Sequence, residues 1–233
     1  MKAPIHAVLT ASLSPLGGHG VPSGIFKRPR TGVVGITRGG LVGDEQGDRK
    51  HHGGPEKAIH HYALDHYAQW RAELPPLALR LETPGAFGEN LSTSGLTEAE
   101  VCIGDVFRLG TARVQVSQAR QPCWRLNERF GLADMARRVQ ESGRTGWYYR
   151  VLEEGQVHPG DVLELLDRPV GDWSLARILH ALYRDPLHRG ELLELTELPL
   201  LSESWRALLR RRIEEGVVED WSRRLETPER PGP

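Results

Sequence analysis

The sequence predicts a mainly β fold, a barrel or a sandwich, followed by a small helical segment. Two observations support this prediction. Up to about residue 166 the chain consists of short runs rich in β-branched and aromatic residues, separated by glycine-bearing turns. Beyond residues 168–171 (Arg-Pro-Val-Gly) the pattern becomes glycine-poor and takes on helical spacing. The many short strands argue against a doubly wound sheet.

The β region can be divided by its turns. Residues 5–13 and 31–37 read as strands, whereas residues 14–30 are rich in glycine and proline and read as a loop. Residues 101–117 form a predicted hairpin around Gly110-Thr111, and residues 147–152 and 156–166 form a predicted closing hairpin. Cys102 would lie inside a strand as a packed core residue.

The predicted helices follow apolar spacing and capping signals. Residues 65–74 form a helix capped by Asp65, and residues 126–141 form a helical stretch that Gly131 divides. After the boundary come three short helices over residues 174–183, 186–195 and 202–215, the first capped by Ser174. This organisation predicts domains at 1–168 and 172–216. Residues 226–233, charged and proline-rich, are expected to be disordered.

Composition excludes several classes of protein. The 233 residues carry a formal net charge of −1, which argues against a protein that binds nucleic acid or anionic membranes by bulk electrostatics. The two cysteines do not make a disulfide framework and fit a reducing compartment. The sequence has no apolar run of signal-peptide or membrane-span length, so we expect a cytoplasmic location and no membrane partner.

Cys123 is the first candidate for chemistry. It follows a strand-like run and a proline, and it lies between Arg120 and Arg125. Guanidinium groups favour the thiolate, which is the form that attacks electrophiles and binds soft metals. The alternative is that Cys123 is a small buried hydrophobe, which is the usual role of a free cysteine.

Two polar, glycine-bearing stretches are the second candidate. Residues 43–54 combine acids, bases and two histidines, and residues 85–93 include Asn90, which offers a donor and an acceptor. A solvated surface loop would have a similar composition. The adjacent His51 and His52 lack the three- or four-residue spacing of a helical zinc motif, so a zinc site is not expected.

Five motifs in order resemble the MOSC domain family, and specifically its YiiM-like branch, which is related to the C-terminal part of molybdenum cofactor sulfurases. They are GDxQxDxxHHGG (43–54), GAFGENL (85–91), IGDxF (103–107), SQxRQPCW (117–124) and SGRTGWYxRV (142–151). The resemblance implies a MOSC-type β-barrel with peripheral helices, followed by a small C-terminal three-helix segment. It also implies a molybdenum cofactor of the molybdopterin type, with Cys123 as the metal ligand. The residues expected to contact that cofactor are Lys27, Arg49, His52, Gly53, Asn90, Arg120 and Arg125.

The same resemblance implies an activity. YiiM-like proteins are associated with reduction of N-hydroxylated compounds, notably hydroxylaminopurine-type base analogues. The chain has no flavin, haem or iron–sulfur motif, so an external electron donor, a flavoprotein reductase, would be required. In one position the chain departs from the family pattern, because Arg125 stands where lysine is expected. Since arginine stays protonated, it keeps the charge but is a poor proton donor.

Three other functions remain open at this point. Cys123 could carry persulfide sulfur in a transferase, as in the sulfurase relatives. The protein could instead carry the molybdenum cofactor without turnover. A cysteine hydrolase with His51 or His52 as base ranks last, because nothing in the sequence fixes that pairing.

Overall fold

The structure is a computed structural model and describes residues 1–48 and 53–229. Its strands are β1 (Lys2–Thr10), β2 (Ser14–Leu16), β3 (Val21–Ser23), β4 (Arg28–Pro29), β5 (Val34–Thr37), β6 (Gly40–Leu41), β7 (Ile59–Ala63), β8 (Leu91–Thr93), β9 (Val106–Leu109), β10 (Ala112–Ala119), β11 (Trp147–Glu153), β12 (Gly155–Val157) and β13 (Val162–Asp167). Its α-helices are α1 (Asp65–Glu73), α2 (Arg125–Phe130), α3 (Met135–Ser142), α4 (Leu175–Tyr183), α5 (Arg189–Thr196), α6 (Glu203–Glu215) and α7 (Ser222–Leu225). Short 3-10 helices cover Gly17–His19, Pro55–Lys57 and Pro75–Leu81.

Seven strands close into a mixed barrel, as the fold prediction expected. They pair in the order β13-β9-β10-β11-β7-β8-β1, and β1 returns to β13 through Lys2↔Glu164, Ala3↔Leu163 and Pro4↔Val162. The β7–β8 pair is parallel, and the other pairs in the barrel are antiparallel. Closure leaves no free sheet edge around the barrel.

The C-terminal helices share one hydrophobic core with the barrel. Trp173, Ile178 and Trp205 belong to the same buried cluster as Val116 of β10 and Leu163 of β13. Ser174 caps α4 as predicted, because its side chain accepts a hydrogen bond from the Arg177 amide at 3.2 Å. The helical segment therefore covers one side of the barrel and packs on it directly.

A second core lies beneath α1, α2 and α3. Tyr62 of β7 stacks on Phe87 with ring centroids 4.0 Å apart, and Phe130 of α2 approaches Phe87 at 5.1 Å. Met135 of α3 and Leu225 of α7 complete this cluster. Burial of several aromatic side chains fixes α2 and α3 against the polar loop at residues 85–90.

Several local predictions were wrong. Residues 147–166 do not form a hairpin, because β12 pairs with β5 while β13 pairs with β9 and β1. Cys102 is buried as expected but lies outside β9, in an isolated bridge with Ser174. Asp65 does not cap α1, since its carboxylate accepts hydrogen bonds from the Gly95 amide at 3.2 and 3.0 Å.

The prediction of a loop over residues 14–30 is also wrong in part, because the stretch contains β2, β3 and β4. The hairpin around Gly110 is confirmed, with Ala112↔Leu109 as its first pair. Gly110 has a φ of 59°, and a Cβ there would meet the Gln156 carbonyl oxygen at 2.1 Å, so only glycine fits. No helix among the described residues is long and apolar enough to cross a bilayer.

Candidate functional site

Cys123 lies in the loop that connects β10 to α2. The Arg120 amide donates to the Gly146 carbonyl at 2.9 Å, which holds the loop against the start of β11. The Cys123 carbonyl accepts from the Leu126 amide at 2.9 Å as α2 begins. The cysteine is only 6% exposed, yet its side chain lines a cleft at one end of the barrel.

This cleft is built from loops that are distant in sequence. Its lining residues are Ser23, Gly24, Ile25, Lys27, Asp44, Glu45, Gln46, Gly47, Asp48, Lys57, His60, Phe87, Gly88, Asn90, Arg120, Cys123, Arg125 and Tyr148. The barrel brings these loops together because β1, β7, β8, β10 and β11 are neighbours in the closed sheet. Four of the lining residues are cationic, and one is a thiol.

Lys27, Asp44 and Asn90 form a buried polar network on one wall. The Lys27 ammonium lies 2.5 Å from Asp44 Oδ1, and Asn90 Nδ2 donates to Asp44 Oδ2 at 2.9 Å. Asn90 also donates to the Leu9 carbonyl and accepts from the His60 amide. Burial lowers the pKa of Lys27, and the charge of Asp44 opposes that shift. Asp44 thus orients both neighbours.

Arg120 and His60 line the cleft close to Tyr148. Arg120 is 6% exposed, and its Nη1 has no hydrogen-bond partner among the described residues. Burial, followed by the charge of Arg120, holds the pKa of His60 well below its ordinary value, so the imidazole is neutral. An unpartnered buried guanidinium N–H is costly unless a ligand accepts from it.

Lys57 and Arg125 add two more cations beside the thiol. Burial lowers the pKa of Lys57, while the charges of Asp48 and of the Cys123 thiolate oppose the shift. The Arg125 guanidinium lies 5.1 Å from the centroid of the Trp124 ring, and its Nη2 is 4.0 Å from Asp48 Oδ2. The sulfur therefore lies among positive charges in a partly dehydrated cleft, where a thiolate is favoured.

A second cavity adjoins the first at the cysteine. The two share Asp48, Lys57, Cys123, Arg125 and Tyr148. The other residues of the second cavity are Gln118, Gln121, Trp124, Arg211, Glu219, Asp220, Arg223 and Arg224, several of them from the C-terminal part of the chain. Cys123 thus lines both cavities.

The structure brings together most of the residues singled out by sequence. Lys27, Asn90, Arg120, Cys123 and Arg125 all line the cleft. Gly53 is described but does not line it, and the predicted contacts Arg49 and His52 lie outside the described residues.

Sequence reasoning missed Lys57, His60 and Tyr148 as cleft residues. Lys57 directly follows the HHGGPE run, so its position in a polar motif was the available signal. Tyr148 stands in the WYY run of β11, where its neighbours Trp147 and Tyr149 are fully buried, so nothing local marks it.

No group of three His, Cys, Asp or Glu side chains in residues 1–48 and 53–229 is arranged to hold a metal ion. The cleft combines one thiol with four cationic side chains and with the carboxylates of Asp44, Glu45 and Asp48. Such a site can bind an anionic group and provide a single soft ligand to a metal that this group carries.

Comparison with known proteins identifies the family. The model of the MOSC domain matches residues 48–164, and that of the YiiM-like 3-alpha helix domain matches residues 173–216. Protein YiiM of Escherichia coli strain K12 is 42% identical over 206 residues, which cover 88% of this chain and 91% of that protein. A Gibberella moniliformis protein named "Reductase" is 40% identical over 186 residues, 79% of this chain but only 33% of the fungal protein.

The fold agrees with these matches. The crystal structure of YiiM from Escherichia coli superposes with a TM-score of 0.82 at 35% identity, covering 97% of this chain and all of the other. Both regions of the chain, the barrel and the C-terminal helices, are therefore accounted for by one known architecture. The chain belongs to the MOSC domain family, in the YiiM-like group that carries a C-terminal three-helix domain.

Proposed function

We propose that this protein is a molybdenum-cofactor-dependent reductase of N-hydroxylated compounds, such as hydroxylaminopurine-type base analogues. The observation that carries the proposal is the pairing of a single cleft thiol, Cys123, with the buried guanidinium of Arg120, whose Nη1 has no partner among the described residues. The name of the fungal relative, "Reductase", supports the reaction class.

The residues present fit the cofactor. A molybdopterin carries a phosphate and holds its metal through soft ligands, so its site needs cations and one free soft donor. Arg120 and Lys27 would bind the anionic end, and the Cys123 sulfur would be the protein ligand of the metal. When bound, the cofactor would supply the oxygen-atom transfer that reduces the N–O bond.

The protein side chains then have separate tasks. Both ends of the Asn90 amide are engaged within the protein, so its role is to hold the Lys27–Asp44 pair in place. Arg125 contributes charge only, because a guanidinium does not release its proton.

Reduction of R–NHOH to R–NH₂ and water consumes two electrons and two protons. We assign proton donation to Lys57, whose ammonium lines both cavities with the thiol.

The second cavity is the proposed approach for substrate. It offers amide groups at Gln118 and Gln121 beside the thiol, and Gln118 Oε1 is buried with no hydrogen-bond partner in the described part of the chain. An exocyclic N–H of a heterocyclic base is the kind of donor that would satisfy that oxygen. Electrons would come from an external donor of the flavoprotein class.

Metal and pterin content test the proposal directly. The protein is expressed in a host that makes the cofactor, beside Cys123→Ala and the matched control Cys102→Ala. We expect near-stoichiometric molybdenum and pterin fluorescence in the parent and in the control. Molybdenum should fall sharply in Cys123→Ala, and reduction of an N-hydroxylated base by a chemical donor should be lost with it.

The other outcomes distinguish the alternatives. Pterin and metal both retained in Cys123→Ala would contradict the ligand role of the cysteine. Bound cofactor without turnover of N-hydroxylated substrates would favour a carrier. If neither metal nor pterin were present in the parent, persulfide transfer by Cys123 would become the leading function.

A further inference from the structure

The chain returns to the site after its last long helix. We call residues 217–229, which include α7, the C-terminal strap. Leu225 of the strap is 1% exposed and packs in the same core as Phe130 and Met135. Asn127 Nδ2 donates to the Leu225 carbonyl at 2.8 Å, which ties the strap to α2. The strap is therefore packed against the helices that follow the cysteine loop.

The start of the strap is fixed by a partly buried ion pair. Arg212 of α6 is 1% exposed, and it donates from Nε and Nη2 to the two carboxylate oxygens of Glu219 at 2.8 and 2.7 Å. Its Nη1 donates to the Leu182 carbonyl at 2.9 Å. A bidentate pair of this kind sets geometry as well as energy, so it sets the direction in which the strap leaves α6.

Arg224 of the strap contacts the cysteine loop on both sides of the sulfur. Its carbonyl accepts from the Trp124 amide at 2.7 Å, and its Nη1 donates to the Pro122 carbonyl at 2.5 Å. Its Nη2 donates to Gln140 Oε1 at 2.5 Å, which anchors the guanidinium to α3. One residue thus holds the peptide groups immediately before and after Cys123.

We propose that Arg224 is the positioning residue for Cys123. By holding Pro122 and Trp124 together, it keeps the thiol at the junction of the two cavities, whatever group the thiol binds. The proposal deepens the proposed function, since a metal ligand must be held in place. It does not depend on that function, because the contacts lie within the protein. The C-terminal strap then belongs to the active site.

Alkylation of the two cysteines tests this inference in cofactor-free, full-length protein. Iodoacetamide rates are measured separately for Cys123 and Cys102 by peptide mass mapping. Cys102 is 3% exposed, in the isolated bridge to Ser174 and remote from the cleft, so it reports opening of the fold elsewhere. In Arg224→Gln we expect the Cys123 rate to rise about tenfold, because a charged hydrogen bond to the loop is lost, while the Cys102 rate stays unchanged.

Two further variants sharpen the test. Arg224→Lys should give an intermediate Cys123 rate, because an ammonium cannot reproduce the fork to both Pro122 and Gln140. Gln140→Leu releases only the anchor on α3 and should give a smaller rise than Arg224→Gln. Arg137→Gln is the matched control, since it breaks an exposed contact to Glu226 of the strap and should change neither rate.

The comparison between the two cysteines distinguishes positioning from general destabilisation. If Arg224 positions the thiol, the ratio of the Cys123 rate to the Cys102 rate should rise in Arg224→Gln and be partly restored in Arg224→Lys. Parallel changes at both cysteines, or no change at either, would overturn the proposal. An absence of molybdenum in the parent protein would contradict the proposed function and leave the alkylation result intact.

Discussion

The two cysteines of the chain are buried to nearly the same extent, 3% exposed for Cys102 and 6% for Cys123, but their surroundings differ. The Cys102 thiol donates to the Gly171 carbonyl at 3.4 Å, and burial, followed by the charge of Asp105, raises its pKa. Cys123 instead shares two cavities with Lys57 and Arg125. The two thiols are therefore alike in burial, and the cations beside Cys123 are what make it the better candidate for a reactive cysteine.

The Cys102 region holds the barrel to the helical segment. Asp105 accepts from the Cys102 amide at 2.9 Å and forms a bidentate pair with Arg168 at 2.8 and 2.7 Å. Ile103 donates to the Trp173 carbonyl at 3.0 Å. These polar groups around Cys102 all find partners within the protein. In the cleft, by contrast, Arg120 Nη1 has no partner among the described residues. Variants in the two regions should therefore fail in different ways.

The largest effect is expected at Lys57. Lys57→Ala should lower kcat for N-hydroxylated substrate by about a thousandfold if the ammonium is the proton donor. Lys57→Arg should lower it as well, because the guanidinium keeps the charge without releasing a proton. Steady-state kinetics and urea unfolding provide the measurement. A Lys57→Arg variant with parental kcat would contradict the assigned role.

Asp105→Asn, in the Cys102 region, should lower the stability of the protein and leave its cofactor content unchanged. Removing the carboxylate charge breaks a mostly buried ion pair, and we expect a loss of about 2 kcal/mol in the free energy of unfolding. Molybdenum content per folded molecule should be unchanged. Urea unfolding and metal analysis on the same preparation test both statements. An Asp105→Asn variant with parental stability and no molybdenum would contradict the assignment of a structural role to the Cys102 region.

Arg120→Gln should act on the cofactor and only slightly on stability. The variant loses the hydrogen bond between Arg120 and Tyr148 but also removes a buried Nη1 that has no partner among the described residues, so the net cost to the folded protein is small. A bound phosphate, in contrast, would lose a charged hydrogen bond. We expect pterin to dissociate about ten times more readily. Dilution followed by pterin fluorescence measures this, and Arg168→Gln is the matched control in the other region.

The smallest effect concerns alkaline pH and Cys102. Because its folded-state pKa lies above the ordinary value of 9.0, the unfolded thiol ionises first as pH rises. The protonated Cys102 thiol therefore contributes its full stabilisation below the pKa of the thiol in the unfolded chain. This contribution is lost as pH rises through the pKa of the thiol in the folded protein. Cys102→Ala should remove this part of the alkaline slope, measured by urea unfolding across the alkaline range. An unchanged slope would show that Cys102 does not titrate differently on folding.

The sequence carries most of the local information about the site. Glycine-bearing turns and the strand before Cys123 depend on neighbouring residues, so the sequence predicts candidate stretches at 43–54, at 85–93 and around Cys123. Four of the seven predicted contact residues converge with Cys123 because the barrel order brings those loops together.

The features that were missed depend on distant parts of the chain. The pairing of β12 with β5 joins Gly155 to Ile36, and no local pattern encodes that choice. Arg224 stands in a short charged run that resembles a solvated surface, and its partner Pro122 is 102 residues away. Contacts between residues so far apart in sequence depend on the tertiary packing of the entire protein. The periodicity of a single sequence therefore does not reveal them.

The closure of the barrel also determines when the site exists. β1 is synthesised before β13, but it completes the barrel only when β13 is present and Lys2 can pair with Glu164. The loop that carries Cys123 also requires Arg224, which donates to the Pro122 carbonyl and lies 102 residues further along the chain. Non-local pairing of this kind is slow to form. The thiol site is therefore assembled only after these distant segments have packed together, and a bound cofactor would have its complete site only then.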